Sequence, residues 1–174
     1  QEQVEFEYYT ALRQLGLEVS FISPNCDFDG YDLIIAPCQP IVSEELINKC
    51  RKAKAHFVFG PRSGGKTDEF NLAPNLPPGL LQDLVPVKVL STETTRPDCA
   101  EPLEFAGGRY LANRWSEELQ LGEDCNADAY YQTGKPAVAT RDRFTYVATL
   151  TDNDFLVSLF SQLADKLSIT TTKL

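Results

Sequence analysis

The chain has 174 residues, 43% of them apolar, with 16 Lys and Arg against 25 Asp and Glu and a formal net charge of −9. That length can bury a sizeable core, while no apolar run reaches the length of a membrane span and no signal-peptide pattern opens the chain. The basic residues are outnumbered and scattered, which argues against nucleic acid as a partner.

Residues 3–16, "QVEFEYYTALRQLG", read as a helix, with Val4, Tyr8, Leu12 and Leu15 on one stripe and Gly16 as a stop. "LEVSFIS" (17–23) alternates Leu17, Val19 and Phe21, the pattern of a half-buried strand. "PNCDFDG" is turn chemistry, and "YDLIIAP" (31–37) is a short continuous apolar run, the pattern of a strand covered on both faces. Ser43 caps a second helix, with Glu44 and Glu45 in its first turn and Lys52 and Lys54 in its last. "HFVFG" (56–60) follows as another buried strand.

The second half is less regular. Residues 61–79 form a long Gly- and Pro-rich loop, "GLLQDL" a helical turn and "VPVKVLS" a strand. "LEFAGGRYLANRW" predicts a hairpin turning at Gly107-Gly108, and residues 128–150 predict three strands with turns at Gly134-Lys135 and Asp142. A final helix starts near Asp152 and buries Phe155, Leu156, Leu159, Phe160, Leu163 and Leu167. Alternating helices and strands at crossover spacing predict an α/β fold: a flavodoxin-like, doubly wound, mostly parallel sheet with helices on both faces. Such a sheet ordinarily opens with a strand ahead of its first helix. None precedes residue 3, so the chain is expected to be a single α/β domain, residues 1–174, from a longer protein.

"FGPRSGGKT" (59–67) fits the phosphate-loop spacing G-x-x-x-x-G-K-[ST] through Gly60, Gly65, Lys66 and Thr67. A phosphate loop needs a helix starting at its Lys-Thr pair. Here "DEFNLAPNLPPGL" follows, with prolines at 74, 77 and 78, so the expected form is a Gly-rich loop at the strand ends. From it Arg62, Ser63, Lys66 and Asp68 project as candidate interface or cleft contacts, joined by the single tryptophan, Trp115. A small-molecule or phosphate-binding module using residues 60–67 is the alternative reading.

A second alternative is an amidotransferase-like enzyme using Cys38. Prolines on both sides of "APCQP" make a poor nucleophile elbow, and the one histidine, His56, sits inside a strand. The five cysteines, at 26, 38, 50, 99 and 125, include no C-x-x-C pair and read as free thiols of a reducing, cytoplasmic compartment. No catalytic residue, cofactor or metal site is expected.

The pieces "EYYTALRQLGLEVSFISP", "FDGYDLIIAP", "VSEELINKC", "FVFGPRSGGKTDEF", "LPPGLLQDL", "RWSEEL", "DAYYQTGKPAVATR" and "YVATLTDNDFL" follow in an order that resembles the middle, trimerisation domain of family 42 β-galactosidases. The resemblance runs from about residue 6 to residue 165. It implies a fold similar to class I glutamine amidotransferases without their catalytic set. It also implies a homotrimer, and an upstream (β/α)₈ barrel carrying both catalytic glutamates, whose active-site cleft this domain helps to enclose. The chain lacks that barrel and the domain's first strand, so alone it is not expected to hydrolyse galactosides. The turn in "ATRDRFTY" also lacks the glycines that family members tend to carry before "YVATL".

Overall fold

Helix α1 (Glu2–Gln14) buries Tyr8, Ala11 and Leu12 along one face. Gly16 ends it at φ 72°, with the Leu17 amide donating back to the Leu12 carbonyl at 3.2 Å, a Schellman closure. The computed structural model, which describes residues 2–67, 69–96 and 98–172, continues with β1 (Leu33–Ala36), α2 (Glu44–Lys52) and β2 (His56–Phe59). Ser43 caps α2 as its sequence predicts, its hydroxyl oxygen accepting from the Leu46 amide. A 3-10 turn (Gly79–Asp83) then leads to β3 (Val87–Glu93), β4 (Glu101–Phe105), β5 (Gly108–Leu121), β6 (Asn126–Tyr131), β7 (Pro136–Arg141), β8 (Phe144–Val147), β9 (Thr149–Thr151) and α3 (Asn153–Lys166). Asp152 fixes the start of α3 with both oxygens, one accepting from the Phe155 amide and the other from the Leu111 amide of β5.

The sheet runs β1-β2-β8-β7-β6-β4-β5-β3, with β9 against β5. Its parallel part is β1-β2-β8. The remaining strand pairings are antiparallel, and among the described residues no helix stands between β3 and β9 to make a parallel crossover. The α/β, amidotransferase-like class holds, but the sheet is mixed rather than mostly parallel: among the described residues two strand pairings are parallel and six antiparallel. Alternation sorts β2 between two cores: Val58 joins α1 and α3 on one face, whereas Phe57 and Phe59 join α2 and the 3-10 turn on the other. Burial on both faces explains its unbroken apolar sequence.

Two further expectations shift. Residues 17–23 are not a strand. Leu17 is buried, but Phe21 is 76% exposed, and the sheet ends at β1, so the segment finds no ladder to join. The β4–β5 turn lies at Ala106-Gly107, one residue earlier than expected. Both residues take positive φ (50° and 79°), and Gly108 already pairs with Phe105, the twist a two-residue hairpin requires. The turn at Asp142 stands where expected, with φ 54° and Arg141 facing Phe144.

His56 is 2% exposed and its Nε2 lies 2.9 Å from the Thr145 hydroxyl. Burial, reinforced by Lys166 and Arg143, lowers its pKa to about 4. The unfolded chain takes up that proton near pH 6.5, so stability is full above that pH and falls as pH drops toward 4, by at most about 3 kcal/mol. Denaturant unfolding between pH 7 and 4.5 will show this loss, and His56→Gln will flatten the slope.

Candidate functional site

The candidate residues meet where β1 and β2 end. Gly60 and Gly64 are there for close approach. A Cβ at Gly60 would collide with the Pro37 carbonyl, and one at Gly64, whose φ is 68°, with the Pro78 carbonyl. Ser63 is buried, its hydroxyl donating to the Gly60 carbonyl at 2.8 Å and accepting from the Gln39 amide at 3.0 Å. The amides of a phosphate cradle are engaged elsewhere. Gly64 donates to Gln39 (2.8 Å), Lys66 to Pro40 (3.0 Å) and Thr67 to Asn71 (2.9 Å). The Lys66 ammonium stands 5.7 Å from the centre of the Phe70 ring, and the next helical turn after Thr67 begins only at Gly79. Gly60 and Gly64 thus serve close packing, and the N–H groups of Gly64, Lys66 and Thr67 face protein acceptors rather than an open anion cradle.

Arg62 occupies the tip of the elbow in the left-handed region, at φ 67°. Its backbone N–H donates at 2.8 Å to Oε1 of Glu117, and its guanidinium lies over the Trp115 ring, 5.0 Å from the centre. Glu117, on β5, is 2% exposed. Oε1 also accepts from the Trp115 indole N–H at 3.0 Å, and Oε2 accepts from the Tyr146 hydroxyl of β8 at 2.7 Å. Burial pushes the Glu117 carboxyl above its ordinary pKa, opposed by the Tyr146, Trp115 and Arg62 hydrogen bonds and the Arg62 charge. Tyr131 and Thr149 fasten the same stretch of β5, through the Glu117 and Trp115 carbonyls respectively.

Sequence reading did not single out Glu117. The available signal is the period of two: Trp115, Glu117 and Leu119 alternate along β5, and Leu119 is core. Of the expected contacts, Arg62 is exposed and Lys66 and Trp115 are half-buried; Asp68 lies outside the described residues.

The arrangement does not assemble a thiol–imidazole pair. Cys38 follows β1 at the carboxyl end of the sheet, whereas His56 opens β2 level with Leu33, five residues and roughly 17 Å back along the strands. Burial raises the Cys38 thiol above its ordinary pKa, against the lowering effect of Arg62, the opposite of what an activated nucleophile needs. Among the described residues, no cluster of three or more His, Cys, Asp or Glu has metal-site geometry.

Fold and site together define an amidotransferase-like α/β domain whose strand-end elbow presents an arginine backed by a buried carboxylate. A glutamine amidotransferase of known structure superposes with a TM-score of 0.65 at 14% identity, covering 94% of each chain, a likeness of fold alone. A family model described as "Beta-galactosidase trimerisation domain" matches residues 1–170, and the chain belongs to that family. It is 37% identical over 157 residues to a β-galactosidase of Thermus thermophilus, covering 90% of this chain and 24% of that protein. The crystal structure of a β-galactosidase from the psychrophilic Marinomonas ef1 superposes with a TM-score of 0.91 at 26% identity, over 97% of this chain and 26% of that one. The chain thus spans about a quarter of the length of the relatives it matches.

Two outcomes follow. Glu117→Ala strands three donors and will cost at least about 3 kcal/mol in denaturant unfolding, whereas Glu117→Gln, which keeps an acceptor for Arg62 and Trp115, will cost markedly less. Magnesium–ATP or inorganic phosphate will leave the melting temperature unchanged; a rise abolished by Lys66→Ala would show that the loop does bind phosphate.

Proposed function

We infer that this domain joins subunits of a β-galactosidase into a homotrimer and helps to enclose the active site of the parent enzyme. In this reading an upstream (β/α)₈ barrel performs the hydrolysis and this chain, as a single α/β domain, is non-catalytic alone. The observation that carries it is the surface running on from the elbow: Phe70, Leu72 and Leu76 are 63%, 78% and 51% exposed on one loop. Clustered exposed apolar side chains mark protein contacts, and Arg62, stacked on Trp115, adds the arginine and aromatic side chains that interfaces favour. The anchoring of this loop through Gly64, Ser63 and Lys66 lowers the entropy lost on association.

Other features fit. None of the five cysteines is in a disulfide, which supports the cytoplasmic reading. Among the described residues no helix is long and apolar enough to cross a membrane, and the net charge of −9 does not favour binding to phosphate backbones.

Sedimentation equilibrium of the protein and of the double variant Phe70→Ser/Leu72→Ser tests this. The expected result is three times the chain mass for the parent and a shift toward one chain mass for the variant. A variant that stays trimeric would move the interface off this loop, and a parent that stays monomeric at every concentration would remove assembly from this chain.

A further inference from the structure

The pairing of β5 with β9 breaks between Asn113 and Ser116, and Arg114, inside the break, takes a φ of 60°. A bulge re-aims a side chain out of the alternation its strand imposes, and a non-glycine residue keeps a positive φ where its surroundings hold it. Here two contacts do so. The Arg114 Nη2 donates to Oε2 of Glu7, on α1, at 2.7 Å, and the Arg114 Nε donates to Oδ1 of Asn113 at 2.9 Å.

The bulge lines one side of a pocket of about 360 Å³. Gln3 and Glu7 of α1 line a second side, and the junction of β9 with α3, from Thr151 to Asn153, lines the third. Thr151 is 6% exposed, and among the described residues its hydroxyl has no hydrogen-bond partner. A buried hydroxyl in that state is unfavourable until something bonds to it. The neighbouring amides are half engaged. The Asn153 Nδ2 donates to Oε1 of Gln14 at 2.8 Å, and the Gln3 Nε2 donates to Oε1 of Glu7 at 3.2 Å. Among the described residues, the Nη1 of Arg114 and the Nδ2 of Asn113 are left as donors, and the Oδ1 of Asn153 and the Oε1 of Gln3 as acceptors.

We propose that this pocket is a subsite for a neutral polyhydroxyl ligand of the monosaccharide class. Charge argues against the other small polar ligands. An anion would meet two carboxylates, Glu7 and Asp152, and a guanidinium already paired with one of them. A cation would find every oxygen of those carboxylates already accepting a hydrogen bond: Glu7 from Gln3 and Arg114, Asp152 from the Phe155 and Leu111 amides. A sugar hydroxyl both donates and accepts, so several on one ring match a pocket that mixes open donors with open acceptors, and the Thr151 hydroxyl serves in either role. The volume lies at the small end of the range for ligand pockets, about 300–1,000 Å³. Among the described residues no aromatic ring lines it, so binding is expected in the millimolar range. None of residues 62–76 lines it either, which sets the subsite apart from the surface assigned to subunit contact.

Amide NMR spectra of the 174-residue chain, titrated with galactose and with glucose to about 100 mM, test this against inorganic phosphate at equal ionic strength. The expected result is a saturable shift at Asn113, Arg114, Thr151 and Asn153 with at least one hexose and none with phosphate. Thr151→Val keeps the side-chain shape and removes the hydroxyl. It should weaken hexose binding about threefold to tenfold while raising the melting temperature, because it also removes the unpaired group. Arg114→Gly suits the positive φ and removes the guanidinium, and should abolish the shifts. Spectra unchanged at those four residues by both hexoses would overturn the proposal. So would shifts there with phosphate alone, or a Thr151→Val variant that binds hexose as the unsubstituted chain does.

Discussion

The carboxylate of Glu117 is the constraint on which the strand-end region depends. It is taken out of water on β5 and answered by three donors from separate parts of the chain: the Arg62 amide, the Trp115 indole and the Tyr146 hydroxyl. Through it, the loop after β2 is tied to β5 and to β8 at once. A buried carboxylate tolerates this place only while those donors stay in position, so the same contact that satisfies Glu117 also holds Arg62 at a positive φ. The strained backbone and the buried charge support one another.

That coupling explains why an elbow at the carboxyl ends of parallel strands, the place where α/β folds concentrate ligand chemistry, presents an arginine over an aromatic ring here instead of an open anion cradle. The side chain at its tip is an arginine held over Trp115, and the amides around it are engaged by Gln39, Pro40 and Asn71. The residue types of a phosphate loop are all present. What differs is where their N–H groups point, and that depends on segments 39–40 and 71, which the motif does not contain. Fold and chemistry are thus separable: the likeness to an amidotransferase describes the sheet and helices, not the site.

Legibility in the sequence followed the range of the interactions. Both long helices, the Ser43 cap, the helix start near Asp152 and the buried strand at 56–59 were readable because their signals are local, a cap, a stripe or an apolar run. The same holds for the turn at Asp142. The segment 17–23 was misread because alternation reports a suitable surface, whereas a strand also needs a neighbour at ladder distance, and the sheet stops at β1. The hairpin turn shifted by one residue because Ala106 accepts a positive φ that the glycine pair made easy to assign elsewhere. The failure of the phosphate motif was visible in the prolines after Thr67. Glu117 was not, because its burial comes from Arg62 and Tyr146, 55 and 29 residues away. Only its spacing from Trp115 and Leu119 hinted at a shared inward face.

The central claim is that the loop running on from Arg62 is a rigid surface for subunit contact. The most direct measurement is hydroxyl-radical footprinting of the assembled protein against the same protein diluted to dissociation. Protection of Arg62, Phe70, Leu72, Leu76 and Trp115 on assembly, with helix α3 unchanged, is the predicted result. Assembly that protects another face and leaves those five side chains equally reactive would contradict it.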